Sequence, residues 1–586
     1  MRAAARHLIL FVTLTVAAAC RGPSIAPEVV FYGGTIQTLD AAPSRFTAIA
    51  IAGGRIVGLA AAPDPAWLDR KPQIVYLGGA VVAPAFTDHH IHLFNVGMAL
   101  LNQRDGGRLA IDLSAVTSLA AVESLVRARA AALPPGSWIL GTGWNQANWG
   151  SPVLPTADVL TRAAPRNPVF FARADGHAGW LNARALAIAG VTRASAAPAS
   201  GSIVRLTSGE PSGVLLEEAN ALLTARVPAP ADSDAVTAFR LAAEAMAARG
   251  VVEVYDAGPL LYPGVVALNL DFGHYLALLL RADSAAPLPL RIDLMIPAPS
   301  RLADSLLGAT GPIGALSPRI RITHLKLFAD GALGSRGAAL SHRYADDSAT
   351  SGVARMSSNE IAALSRRALD RGLGVATHAI GDEAVRRTLD AYETILRERP
   401  ALDPRRLRIE HFSYAREEDL TRAARLGVIL SIQSDFNAMP SDDPTFAGMR
   451  VGVANEARVY NWKRLAGMGA ILAEGSDYFA APGSPLAGFV ATLERKYAVG
   501  ETLPDSAARL VAYRMNAARF EPGGMRIEGV IRIGGPADFV AWTADPLSTP
   551  RSRLDSVTAT LVVNAGRIVV GPVDVRFAAR HSSPLR

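Results

Sequence analysis

Eight short apolar runs punctuate the middle of the chain, at residues 81–87, 251–255, 290–296, 322–328, 374–377, 407–409, 428–432 and 470–473. Runs this short, bounded by turn residues, read as buried strands. Helix-period patterns lie between most of them, for example at 359–371, 383–397 and 416–426. Strand and helix alternating in this way build a parallel sheet, and eight such units close it into a (β/α)8 TIM barrel. The interval after strand 1 is far too long for a single helix, so a large insertion is expected at about 103–235, within a barrel spanning 83–522.

Both ends have a different texture. Residues 29–40 and 48–59 alternate apolar positions around turn signals at Gly33-Gly34 and Gly53-Gly54, and 74–82 adds a further strand. Residues 529–541 and 556–570 repeat the pattern, with a turn at Asn564-Ala565-Gly566-Arg567. These are hairpin signals. They predict one small β-sandwich domain, discontinuous in sequence, built from 29–82 and 523–575. The expected fold class is α/β: a TIM barrel with an insertion, plus this terminal β-domain.

Half of the 586 residues are hydrophobic and 19% are charged, which suits a large buried core. The net charge of +7 is scattered, mostly as arginine, as in Arg366-Arg367 and Arg386-Arg387. No basic run is interleaved with aromatics, which argues against nucleic acid as a partner and leaves a small-molecule substrate. At the N-terminus, Arg2 and Arg6 precede an apolar run at 8–19, followed by Cys20, the only cysteine. That run is too short to span a bilayer and fits the core of a signal peptide. With Ala17-Ala18-Ala19-Cys20 it resembles a bacterial lipoprotein signal, although Ala17 stands where leucine is preferred. The expectation is a signal peptide over 1–20, a lipid on Cys20 and a tether at 21–28. The protein would then be a lipid-anchored protein of the cell envelope, with plain secretion as the alternative. A lone cysteine allows no internal disulfide.

Alternate residues of a strand face one way, so Asp88, His90 and His92 share a face at the end of the first run. Two imidazoles so placed can chelate a divalent ion, but His-x-His by itself is more often an ordinary pair of surface histidines. The later strand ends change this. The fourth run leads into Lys326-Leu327-Phe328-Ala329-Asp330-Gly331, the fifth into His378, the sixth into Glu410-His411, and the eighth into Gly475-Ser476-Asp477. Active sites of barrels form at the C-terminal ends of the strands. Each of these residues alone has a plain structural use, but all of them at successive strand ends mark a metal centre.

The motifs Phe86-Thr87-Asp88-His89-His90-Ile91-His92-Leu93, Lys326 to Ser335, Ala376-Thr377-His378-Ala379-Ile380-Gly381-Asp382, Arg408-Ile409-Glu410-His411 and Gly475-Ser476-Asp477 resemble the amidohydrolase superfamily. The resemblance is to its branch of long proteins that includes N-substituted formamide deformylases. Gly141-Thr142-Gly143-Trp144 and Asp175-Gly176-His177 in the insertion fit that branch too. The resemblance implies that His90 and His92 bind one divalent metal and His378 and His411 a second. It implies that Lys326, carrying carbon dioxide as a carbamate, bridges them, and that Asp477 contacts the first metal and acts as general base and acid. Zinc suits imidazole and carboxylate ligands, with iron and manganese as alternatives and one or two ions per chain.

His177 is either an oxyanion or substrate contact or a structural residue of the insertion. Trp144 and Trp149 either line the pocket or pack the insertion. Asp88 is expected to orient a ligand histidine, His89 to face away from His90, and His324 to pack in the barrel. Val252 and Glu253 replace the small polar residues usual in relatives and should not touch the metals. The function implied is hydrolysis of amide, formamide or cyclic amide bonds. Hydrolysis of esters, lactones or phosphotriesters is an alternative, as is a non-catalytic metal- or peptide-binding lipoprotein, against which Asp477 argues.

Overall fold

The computed structural model describes residues 26–40, 46–151, 153–174, 176–198, 201–224, 226–259, 272–433, 444–478, 510, 513–514, 517–520 and 526–571. The expected signal peptide, Cys20 and most of the tether lie outside the described residues.

Eight parallel strands stand in chain order: Phe86–Ile91, Val251–Asp256, Arg291–Pro297, Ile320–Phe328, Gly374–Ala379, Leu407–His411, Ile429–Ile432 and Ile471–Glu474. They form a nearly closed (β/α)8 barrel. The first and last strands meet just beyond their ends, where Asp477 N donates to His90 O at 2.6 Å and His92 N to Tyr478 O at 3.1 Å. Gly475 permits that approach, because a Cβ there would lie 2.5 Å from His90 N.

Helices Ser358–Asp370, Asp382–Glu398 and Glu417–Leu426 lie where the apolar periodicity places them. The first starts at a capping box, Ser357 with Glu360, which satisfies two otherwise orphaned amides. Their inward residues, such as Ile361, Leu389 and Leu420, join the strands' Val375, Ile409 and Leu430 in one continuous core.

The first expected strand is two. Val81–Pro84 pairs antiparallel with Phe539–Trp542 in the terminal sheet, whereas Phe86–Ile91 belongs to the barrel. The switch falls at one residue: Ala85 N donates to Asp538 O, and Phe86 N to Gly250 O. An uninterrupted apolar run hides this change, since both pieces are buried. The terminal sheet is built around Val29–Ile36, which pairs with Phe46–Ala52 on one side and with Gln73–Tyr76 and Val81–Pro84 on the other. From the far end of the chain, Phe539–Trp542, Ala559–Asn564 and Arg567–Val570 extend it. Gly33 is not a hairpin turn. It sits at φ +77° in an irregular stretch of one strand, where a Cβ would strike the Tyr76 ring.

The insertion folds on itself as a six-stranded mixed sheet in the order Gly201–Arg205, Pro211–Glu217, Ala178–Leu181, Val169–Arg173, Ile139–Trp144, Ile111–Asp112. Trp144, Trp149 and Trp180 pack against one another in its core, with ring centroids 5.7–6.3 Å apart. The two tryptophans singled out in the sequence therefore hold the insertion together.

At the N-terminal end of the barrel, Glu253 takes Arg291 at 2.9 Å and Arg321 at 3.0 Å. Arg291 also reaches Asp538 of the terminal sheet at 2.8 Å, and Arg321 reaches Asp293 at 2.7 Å. Glu253 thus lies on the floor of the barrel, clear of the strand ends that carry His90 and His92.

Candidate metal centre

At the opposite end, five strands bring their C-terminal residues together. His90 and His92 come from the first strand and the residue after it, Lys326 from the fourth, His378 from the fifth and His411 from the sixth. Asp477 follows the eighth. All six are buried, at 8% exposure or less. The ring centroids of His90 and His411 lie 4.9 Å apart, those of His90 and His92 5.5 Å, and those of His378 and His411 4.5 Å. Ligand atoms of His90, His411 and Asp477 all fall within 4.8 Å of one another. This group draws one histidine from each of the pairs the resemblance separates, so the two expected subsites share one pocket.

The partners of each ring set its tautomer. His90 Nδ1 lies 2.6 Å from Glu410 Oε2, and His92 Nδ1 lies 2.5 Å from the carbonyl of Gly258. Both partners only accept, so each Nδ1 carries the proton and each Nε2 offers a lone pair. Those two lone pairs face Asp477 Oδ1, at 3.5 Å from His90 and 2.9 Å from His92. Asp477 Oδ1 is itself buried and has no aligned hydrogen-bond donor. Three acceptors converging out of water are costly unless a cation sits among them, and Lys326 Nζ, 3.4 Å from His90 Nε2, reaches only one of the three. The donor set of imidazole nitrogen and carboxylate oxygen fits a divalent transition ion.

Burial and charge keep the site in its ligating form. Burial is the main cause that lowers the imidazole of His90, and it takes His411 down to about 3 and His378 well below the usual range. They are neutral near pH 7, as metal ligation requires. Burial opposes charge on Glu410, but the guanidinium of Arg408, 2.9 Å away, and His90 outweigh it and hold the carboxyl well below its usual range. Lys326 Nζ approaches His90 Nε2 at 3.4 Å, and burial draws its ammonium down to about 8.

The groups around the ligands are a mixture of the anticipated and the missed. Asp88 grips the backbone rather than a ligand ring: its carboxylate accepts from His90 N at 3.1 Å, Ser476 N at 3.0 Å and Ser476 Oγ at 2.5 Å. It ties the first strand to the eighth. His89 faces away, as expected, with Nε2 at 2.7 Å from Ala518 O and its ring stacked on Tyr255. His324 packs edge-on to Tyr255 within the barrel. Gln433, not singled out in the sequence, holds His411 Nδ1 at 2.8 Å.

His177 reaches the centre from the insertion, its ring 5.6 Å from that of His378; Asp175 beside it lies outside the described residues. Its Nδ1 lies 2.9 Å from Glu217 Oε2, another residue the sequence did not mark. Glu217 ends its strand at φ +50° and seats its carboxylate against Gly331 and Gly337, where a Cβ would lie 2.1 Å from Oε1. Those glycines follow the fourth barrel strand, so Glu217 docks the insertion onto the barrel mouth.

A buried imidazole–carboxylate centre at the C-terminal mouth of a (β/α)8 barrel defines a metal-dependent hydrolase. The sequence comparison agrees: residues 73–570 match the model of the amidohydrolase family, and the chain belongs to that family. It is 30% identical to "Putative amidohydrolase YtcJ" of Bacillus subtilis (strain 168), over 92% of this chain and 99% of that one. It is 27% identical to the N-substituted formamide deformylase of Arthrobacter pascens, over 90% and 95% of the two chains. Among solved structures, an uncharacterized metal-dependent hydrolase from Pyrococcus furiosus superposes with a TM-score of 0.64. That pair is 25% identical, covering 89% of this chain and all of the other.

Proposed function

We propose that this protein hydrolyses a carbon–nitrogen bond of a small molecule, namely an amide, formamide or cyclic amide. The observation that carries the reading is Asp477 Oδ1, buried without an aligned donor and facing the lone pairs of His90 and His92. Similarity to a formamide deformylase supports the bond type. His90, His92 and Asp477 would hold one ion and His378 and His411 a second, with Lys326 joining them as its carbamate. Zinc suits these donors. When bound, such an ion supplies water acidified towards a pKa of about 7 and a positive charge for the substrate oxygen.

The chain's own groups do the rest. Asp477 Oδ1 takes the proton of the attacking water and delivers it to the leaving nitrogen. Glu410, Gly258 and Gln433 fix the rings of His90, His92 and His411, so no reorientation is needed during turnover. His177, held through Nδ1 by Glu217, turns its Nε2 edge away from that carboxylate and donates from it to the oxygen that gains charge. The protein would act in the cell envelope on a lipid anchor at Cys20, which lipid labelling of wild type against Cys20→Ser tests.

The deciding assay is a panel of N-substituted formamides, N-acyl amines and cyclic amides, set beside esters, lactones and phosphotriesters, with zinc-loaded protein. Turnover of the nitrogen compounds is expected. Turnover confined to the oxygen esters would refute the reading.

A further inference from the structure

The second barrel strand supplies no ligand atom, yet its last residue lies closest to the machinery that aims His92. Asp256 is fully buried. Its Oδ1 accepts from Gly258 N at 3.1 Å and from Leu93 N at 3.3 Å. Gly258 is the residue whose carbonyl holds His92 Nδ1, and Leu93 follows His92 directly. One carboxylate oxygen therefore clamps the chain on both sides of the His92 hydrogen bond. The other oxygen, Oδ2, takes the hydroxyl of Tyr275, a fully buried residue of the helix Phe272–Ala285. Tyr275 in turn is fixed by the rings of Phe94, Phe239 and Phe272, with centroids 4.8–5.8 Å away. Gly258 has no slack of its own: it sits at φ +82°, and a Cβ there would come within 2.6 Å of Phe272.

The contrast with the other rings is informative. His90 meets a carboxylate and His411 a side-chain amide directly, so each orienting group is visible beside its ligand. His92 Nδ1 meets a backbone carbonyl, whose direction is set by the chain that carries it. We propose that Asp256, supported by Tyr275, is the positioning residue for His92: it fixes the Gly258 carbonyl and thereby the direction of His92 Nε2 at the metal. The proposal rests on His92 being a ligand.

The test needs metal alone. Zinc affinity, by competition with a chelator, and the visible spectrum of the cobalt(II)-loaded protein are measured for wild type, Asp256→Ala, Asp256→Asn, Tyr275→Phe and His92→Ala. Asp256→Ala removes both acceptors and is expected to weaken zinc by about 10- to 100-fold and to change the cobalt spectrum. Asp256→Asn keeps an oxygen at the clamping position and should recover most of the loss. Tyr275→Phe, the mildest change and the safeguard should the alanine variant fail to fold, should shift affinity and spectrum in the same direction by less. A change of thermal midpoint with wild-type affinity and spectrum in Asp256→Ala, or in Tyr275→Phe if only that variant folds, would overturn the proposal. Equal losses in Asp256→Asn and Asp256→Ala would overturn it too, since charge and not the clamp would then matter. If His92→Ala binds zinc like wild type, the ligand assignment has failed and the positioning role falls with it.

Discussion

The two ends of the barrel bury charged and polar groups in opposite ways. At the floor, three carboxylates, Glu253, Asp293 and Asp538, share two guanidiniums, Arg291 and Arg321, at 2.7–3.0 Å, and the protein supplies both signs itself. At the mouth, Asp477 and the histidines present acceptors to one another, with Arg408 spent on Glu410 one layer below. The floor draws its cations from the fold, whereas at the mouth Lys326 reaches only His90 Nε2, at 3.4 Å, and Asp477 Oδ1 is left to a cation from outside. A binding site can thus be read as a deficit in the charge pairing that the floor draws from its own arginines.

Removing that cation should produce the largest effect. Treatment with a strong chelator is expected to abolish turnover while far-ultraviolet circular dichroism stays unchanged, and zinc should restore the rate. A loss of secondary structure on chelation would show that the mouth also carries the fold. Next, Asp477→Asn should keep metal bound and lower kcat by about 10²- to 10⁴-fold, the usual worth of a general base. Metal analysis beside the rate measurement checks this, and a wild-type rate would remove Asp477 from its role.

The floor should respond in a different currency. Arg291→Met leaves Glu253 and Asp538 facing each other, and breaking a buried pair from one side costs about 3–5 kcal/mol. Denaturant unfolding should show that loss with zinc affinity unchanged; a parallel fall in affinity would mean that the two ends are coupled. Glu217→Gln should lower kcat/KM by roughly tenfold through one lost charged hydrogen bond of about 1.5 kcal/mol, again with zinc affinity intact.

The smallest effect belongs to the outer helices. Hydrogen bonds from Arg386 and Arg387 draw Glu383 from 4.5 down to about 2. A depressed carboxylate stabilises the fold above the unfolded value of 4.5, and that contribution is lost as pH falls through about 2. Glu383→Gln should therefore flatten the pH dependence of stability slightly, only between those limits, in acid unfolding curves.

Much of the mouth was legible because its residues combine two independent signals, a ligand type and a place at or just past the end of an apolar run. Lys326, His378, His411 and Asp477 all carry both. Gln433 and Glu217 carry one each: Gln433 follows the run 428–432 but is no ligand type, and Glu217 is a ligand type away from the barrel runs. Glu410 stood within a motif, but its grip on His90 is a contact across 320 positions that no local pattern contains. The same limit applies to the strand break at Ala85, where burial is continuous and only the pairing partner changes. The tryptophans of the insertion gave apolar mass without direction, so packing and pocket could not be separated before the sheet was seen.

Asp88 and Ser476 are 388 positions apart, and their contact joins the first strand to the last. A chain leaving the ribosome exposes His90 and His92 long before the residues that complete the centre have been made. Incomplete products therefore carry a chelating pair but no base, so prematurely terminated or proteolysed copies should sequester metal without turning over substrate. Catalytic competence arrives late in synthesis, at the step that brings the two outermost barrel strands together.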